Sequence, residues 1–482
     1  MWKLASRGAL FSIALISASA GAQNSCPNGV RSDKLACLIP QVYGVNGLIL
    51  GNPTPLGHFQ ENFLGSSLSP LNSATAKQVA LLPLASPSSG LTFTWDAVNK
   101  VFLSSTDSFG PIFGERSETI GRHRVFLGFG YQYFKFDRID GQDLKKLPSV
   151  FPQQDDSADA PPGYPTCSIT PRDTLSNMGG CGFIRDVIST TNRLDLKIHQ
   201  FTTFITFGLT NRIDVSAAIP IENIRMAISS NATIVDNSSS FVHIFPNCDP
   251  STSNCLSTVF SNSQNVAGIG DMTFRVKGTA WKSERAGLAL GVDVRVPTGD
   301  ELNFLGAGAA GVRPFLIWSY RRRISPHFLA GYEVNGSSRL AGNLSTGSKE
   351  RLPSEFTYSL GADVWLTKRI TAAGDLVGQQ AFEARRVAIS SLSELGACKD
   401  SGCGCANKDD PNTCNVDSNF KAPVTDPTID QVTRSYNATS ASFGIKIRPF
   451  SNLLLTGNLQ IKLSEGGLQA KYVPFVGVSY TF

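Results

Sequence analysis

No stretch of this sequence is apolar over the ~20 residues that a membrane-spanning helix needs. The mean hydropathy, −0.04, likewise excludes a helical membrane protein. Neither fact speaks against a barrel, whose spanning strands are short and alternate polar with apolar residues. Methionine is scarce, with 4 in 482 residues, while Gly (44) and Phe (30) are plentiful. That balance suits strands and turns better than helix bundles. Histidine is also sparse: His58, His123, His199, His243 and His327 are all there are. There is no G-x-S-x-G elbow, no H-E-x-x-H and no P-loop. A barrel hydrolase would need a Ser–His pair on one face, which chain spacing does not show either way. No enzyme activity, catalytic residue, metal site or cofactor is therefore expected. The net charge of +5 is too mild to argue for nucleic acid as a partner.

What is present begins with a leader. Lys3 and Arg7 give a positive start, Leu10 to Ala18 is apolar, and Ala20-Gly21-Ala22 forms a small-residue cleavage site. Residues 1–22 are expected to be removed on export. The apolar run is too short for an anchor, and Cys26 has no lipobox before it. Ten cysteines then fall into local groups: Cys26/Cys37, Cys167/Cys181, Cys248/Cys255 and Cys398/Cys403/Cys405/Cys414. An even number in an exported chain predicts disulfides within each group, with the pairing among the last four left open. A metal cluster of those four is the weaker reading, because the compartment is oxidising and their loop holds no His. Asp409, Asp410 and Asp417 in the same loop read as solvating charge rather than a Ca²⁺ site.

The chain ends on Lys471-Tyr472-Val473-Pro474-Phe475-Val476-Gly477-Val478-Ser479-Tyr480-Thr481-Phe482. Val476, Val478, Tyr480 and Phe482 share one face, and Gly477, Ser479 and Thr481 the other, which is the period of a strand. The same alternation recurs from residue 120 onward. Val125, Leu127, Phe129, Tyr131 and Tyr133 oppose Arg124, Gly128, Gly130 and Gln132, with Phe126 out of pattern. Leu194, Leu196 and Ile198 oppose Asp195, Lys197 and His199. Ile213, Val215, Ala217 and Ile219 oppose Arg212, Asp214 and Ser216. Phe274 and Val276 oppose Asp271, Arg275 and Lys277. Leu288 to Val296 in steps of two oppose Asp293 and Arg295. Phe356 to Val364 oppose Asp363, Phe443 to Ile447 oppose Lys446 and Arg448, and Leu453 to Ile461 oppose Lys462. About twelve strands of roughly ten residues result, joined by connections that alternate long (138–190, 227–267, 335–353 and 383–435 among them) and short, as in bacterial outer-membrane barrels. A secreted β-sandwich would explain the alternation of residues but not that of the loops.

The sequence therefore predicts an all-β chain: a transmembrane antiparallel β-barrel over residues 120–482. Residues 23–119, rich in Pro, Gly, Ser and Asn, carry little strand signal. A short helix is expected within Ser69–Leu82 and a small hairpin around Asp96 to Asn99. This part is expected to be a periplasmic extension or a plug in the lumen.

Several short motifs carry a resemblance. They are Phe207-Gly208-Leu209-Thr210-Asn211-Arg212-Ile213-Asp214-Val215 with Ile219-Pro220, Gly268-Ile269-Gly270-Asp271, Val296-Pro297-Thr298-Gly299-Asp300, and Asp363-Val364-Trp365-Leu366-Thr367-Lys368-Arg369 with Gly374-Asp375-Leu376. In order and spacing they resemble a family of outer-membrane barrels named for the meta-pathway of phenol degradation. The match covers roughly residues 190–380 and the barrel end. The terminal strand resembles the C-terminal assembly signal of outer-membrane proteins, carried here by Tyr480 and Phe482.

The resemblance implies a barrel that moves small, often apolar or aromatic, molecules. Its partners would be outer-membrane lipid, the barrel-assembly machinery through the C-terminal strand, and a small solute. The lumen-lining set expected from the alternation is Arg124, Asp195, Lys197, His199, Arg212, Asp214, Asp271, Arg275, Asp293, Arg295, Asp363, Lys446 and Arg448. The competing expectation is a structural or surface-binding barrel with a closed lumen and disulfide-tied outer loops. Either reading places the chain in the outer membrane of a bacterium.

Overall fold

The computed structural model describes residues 26, 30–45, 47–48, 68–82, 93–96, 101–104, 108–152, 187–235, 244–245, 255–344, 347–394, 424–450 and 452–482. The leader and Cys167, Cys181, Cys248, Cys398, Cys403, Cys405 and Cys414 lie outside the described residues, so the disulfides expected there do too. Cys26 and Cys37 are bonded to each other, and Cys255 is also in a disulfide.

Twelve strands close into an antiparallel barrel. They are β1 (Val125–Ile139), β2 (Val187–Gly208), β3 (Ile213–Val235), β4 (Ser257–Ile269, resuming as Met272–Lys282), β5 (Ala286–Val296), β6 (Gly311–Tyr320), β7 (Ile324–Asn335), β8 (Glu355–Thr367), β9 (Ile370–Glu394), β10 (Val424–Ile447), β11 (Leu453–Lys462) and β12 (Tyr472–Thr481). The ring closes where β12 pairs with β1, from Phe475 opposite Gln132 to Thr481 opposite Phe126. The Phe482 N–H donates to the Val125 carbonyl at 2.8 Å. Closure leaves no free edge for the terminal apolar strand to expose.

The period of two decides which side chains point out. Phe129, Phe201, Ile221, Phe274, Val276, Leu290, Leu360, Phe443, Ile445 and Val476 are large, apolar and exposed. Soluble monomers rarely expose apolar patches beyond a few hundred Å². A continuous belt of such residues around a closed barrel is a lipid-facing surface, so the strands span a membrane.

The wall is taller than the ~ten-residue strands expected. β2, β3, β9 and β10 run for 22, 23, 25 and 24 residues. Stretches expected to be loop, such as 227–235 and 257–267, are strand instead. In this upper part the outer face of the wall is wet and the inner face is dry. Leu194, Leu196, Ile198, Ile224, Met226 and Ile228 point inward and pack on Leu35, Ile39, Val42, Leu71 and Val79 from the N-terminal segment. Asp195, Lys197 and His199 consequently sit on the outside, opposite to expectation. Lower down, Phe126 faces inward, against Phe204, Phe475, Ile112 and Ile120; that is why it broke the pattern.

The N-terminal segment thus contributes to the interior at both ends. A 3-10 turn (Leu35–Cys37) and α1 (Ser69–Ala80) lie toward the long-loop end. Pro70 in the first turn of α1 gives up an N–H that would have no helical partner there. Phe93–Asp96 and Val101–Ser104 pair as a hairpin. Residues 108–121 lie at the short-turn end, with Phe109, Ile112 and Glu115 to Thr119 all buried.

Candidate functional site

The lower lumen is organised around residues 108–120, which reach β1 through Gly121. Two wall lysines hold this stretch by its backbone. Lys277 Nζ on β4 donates to the carbonyls of Glu118 at 2.9 Å and Arg116 at 3.2 Å. Lys446 Nζ on β10 donates to the carbonyls of Pro111 at 2.6 Å and Phe109 at 3.1 Å. An ammonium has three donors and no acceptor, so clustered carbonyls satisfy it.

Charged side chains complete the grip. Glu115 lies between Arg275 and Lys277, with the lysine at 2.9 Å. Burial alone would raise the Glu115 carboxyl, but the two cations hold it below its ordinary range. Arg275 is also bound in a fork by Asp293 at 2.6 and 2.9 Å, and Arg313 on β6 reaches the same carboxylate. Arg116 pairs with Asp363 on β8, which also accepts from Ser108. Asp363 stands 3.7 Å from His327, and the far nitrogen of His327 meets Asp375. The Ile120 N–H donates to Asp214 at 3.0 Å. Ser117 and Ser319 share a hydrogen bond at 2.7 Å.

The upper part of the segment is held differently. The Tyr43 hydroxyl bonds to Ser230 at 2.9 Å, and burial pushes its pKa up to about 12. Lys77 on α1 is buried, and burial together with Arg385 pulls its pKa down to about 8. Between the two parts lies a cavity of about 270 Å³. Leu81 and Leu82 close it on one side, Phe113 and Glu115 on the other. Its wall is part apolar (Phe134, Leu329, Val377, Val473) and part charged (Arg275, Asp293, Arg313, Glu333, Glu355). Such a space suits a small guest with an apolar body and a polar group.

The thirteen residues expected to line the lumen do not share one place. Asp214, Asp271, Arg275, Asp293, Asp363 and Lys446 are buried and face inward. Arg295 is half-buried and bridges Asp271 at 3.1 Å and Glu333 at 3.2 Å. Asp271 also accepts the N–H groups of Gly299 and Ala307, and so ties down the 297–310 connection. Arg124 is half-buried at the foot of β1. Arg448 is half-buried just below β10; it donates to the Lys368 carbonyl at 2.9 Å and lies over the Phe109 ring. Arg212 does not line the lumen: it is exposed in the 209–212 turn, where β3 has not yet begun. Asp195, Lys197 and His199 are on the outer face, because the inner face at that height is filled by the apolar packing of α1 and its neighbours.

Sequence reasoning missed Glu115, Arg116 and Glu118, and with them Arg313, His327, Glu333 and Asp375. The signal for the first three was a charged run, Glu115-Arg116-Ser117-Glu118, set among Phe109, Ile112, Phe113 and Ile120 just before the first strand.

Among curated proteins, none matches this sequence. An outer membrane channel from Pseudomonas putida F1 is similar over 76% of this chain and 98% of its own, at 12% identity and a TM-score of 0.40. A FadL homologue from Pseudomonas aeruginosa is similar over 74% of this chain and 89% of its own, at 10% identity and a TM-score of 0.27. The translocator domain of the autotransporter NalP from Neisseria meningitidis shows 9% identity over 75% of this chain and 89% of its own, with a TM-score of 0.25. Residues 190–389 match the family model described as "Putative MetA-pathway of phenol degradation", the same family that the turn and strand-end motifs resemble.

Proposed function

We propose that the protein is an outer-membrane channel for small organic molecules, apolar and aromatic ones among them, with residues 23–119 acting as a plug inside the lumen. The observation that carries the reading is the grip of Lys277 and Lys446 on the backbone of residues 109–118 beneath a cavity of about 270 Å³. A wall built only for rigidity would gain more from apolar packing, since replacing buried ion pairs by well-packed apolar residues is often neutral or stabilising. The name of the matched family model, with its reference to phenol degradation, supports aromatic solutes as the first to try. The role is passage rather than catalysis. Export by a cleaved leader and insertion through the terminal strand, with Phe482 exposed at the foot of the barrel, complete the reading.

The test is single-channel conductance and phenol uptake into liposomes, comparing the full mature chain with one lacking residues 23–119. The full chain is expected to conduct rarely and the shortened barrel steadily. If neither conducts nor takes up solute, the barrel is a structural or surface-binding one.

A further inference from the structure

The outer face of β1, β2 and β3 carries a row of cations in register. Lys135 on β1 stands directly opposite Lys197 on β2, and Lys197 directly opposite Arg225 on β3. Opposed residues on neighbouring strands lie only ~5 Å apart, and like charges so placed are destabilising. Arg193, also exposed, adds a fourth cation above them. Asp195 takes Lys197 at 2.9 Å. Among the described residues, Lys135, Arg193 and Arg225 have no carboxylate partner.

The height of the row is fixed by its neighbours. One step below stand Tyr133 and His199, opposite each other, and below them Tyr131 and Phe201. The Tyr131 hydroxyl meets His199 Nδ1 at 2.9 Å, and the Tyr131 and Phe201 rings lie 4.9 Å apart. Aromatic girdles mark the two boundaries of the apolar belt on a membrane barrel. The cations therefore stand just past the girdle on the long-loop side, at the level of lipid headgroups. Elsewhere among the described residues, Arg385 and Arg434 stand opposite Thr433 and Ala384 rather than opposite another cation, and β7, β8 and β9 present Tyr332, Val334, Phe356 and Phe382 on their outer faces.

We infer that Lys135, Lys197 and Arg225 form a binding site for the phosphates of an outer-leaflet glycolipid. The like charges, unfavourable on the bare protein, become complementary when a bis-phosphorylated headgroup lies across the three strands. Its acyl chains would run down the apolar face of Tyr131, Phe201 and Ile221. The inference rests on the outer-membrane reading and on the long-loop end facing outward.

The experiment uses the full mature chain in a zwitterionic detergent. Bis-phosphorylated lipid A, its dephosphorylated form and inorganic pyrophosphate are titrated in turn, and the midpoint of heat-modifiable gel migration is read. Bis-phosphorylated lipid A should raise the midpoint, and the effect should shrink as salt rises. The triple variant Lys135→Gln, Lys197→Gln, Arg225→Gln should migrate as a folded barrel and bind on the order of a hundredfold more weakly, each cation near a charged membrane surface being worth about a factor of five. If that variant fails to fold, the pair Lys135→Gln, Arg225→Gln and the salt titration of the unaltered protein decide in its place. An unchanged shift in the variants overturns the inference, as does an equal shift from dephosphorylated lipid or from pyrophosphate. A barrel that enters bilayers but ignores the phosphates overturns this site and leaves the channel reading standing. A chain that never enters bilayers fails the channel reading, and the detergent titration still decides this one.

Discussion

Replacing Glu115 by Gln keeps the side chain's shape and removes one negative charge from between Arg275 and Lys277. All three side chains are nearly sealed from solvent, at 1%, 6% and 2% exposure. Removing one partner of a buried pair costs about 3–5 kcal/mol, because the charge left behind has lost its water. Asp293 still holds Arg275, and the carbonyls of Arg116 and Glu118 still hold Lys277, so the lower end of that range is expected. The penalty falls on the state in which residues 108–118 are seated and is relieved when they leave and water enters. About 3 kcal/mol multiplies the ratio of open to closed barrels by on the order of a hundredfold. The assay is the open fraction of single channels in a planar bilayer at fixed voltage, with proteolysis of residues 108–118 as a second reading. An unchanged open fraction in Glu115→Gln, in a barrel that conducts once residues 23–119 are deleted, would refute the idea that this ion pair holds the segment down.

Because the Glu115 carboxyl titrates below its ordinary value of 4.5, its contribution is intact above that pH and is lost only as pH falls through the lowered value. Acid-induced opening should therefore appear only below pH 4.5 and be weaker in Glu115→Gln; opening in milder acid would contradict the assignment. Lys77, pulled from 10.5 to about 8, costs stability in full below pH 8 and progressively less up to 10.5. Lys77→Met should tighten the seating of α1 at neutral pH by roughly 3 kcal/mol at most and abolish that pH dependence, read by hydrogen exchange of residues 69–80. A Cβ on Gly114 would come within 2.6 Å of the His327 ring, so Gly114→Val should displace the segment and raise conductance without unfolding the barrel. Deleting Phe482 should lower membrane insertion and leave export intact, as measured by fractionation; normal insertion would exclude its role in assembly.

The strands were legible because a period of two is local. Leu288 to Val296 name their own faces, with Asp293 and Arg295 between, and the pairing of β4, β5 and β6 follows that pattern. What the period does not carry is which face is wet. Around Asp195, Lys197 and His199 the same alternation persists, but the wall has passed the apolar belt and the face toward α1 has become the apolar one. Expectation and structure therefore differ there in side, not in strand. The seating of residues 108–120 was illegible for another reason. Its backbone carbonyls are held by lysines more than 150 residues away, and carbonyls leave no trace in residue type.

The covalent join through Gly121 between this seated stretch and β1 has a kinetic consequence. In the proposed plug role, a blocking segment that is part of the chain it blocks cannot diffuse away. Its return is intramolecular, at an effective concentration in the millimolar range for a short tether. Openings should therefore be brief and self-terminating whatever the protein concentration. A free peptide of residues 108–120 added to the shortened barrel would have to reach comparable concentrations to mimic the same closure.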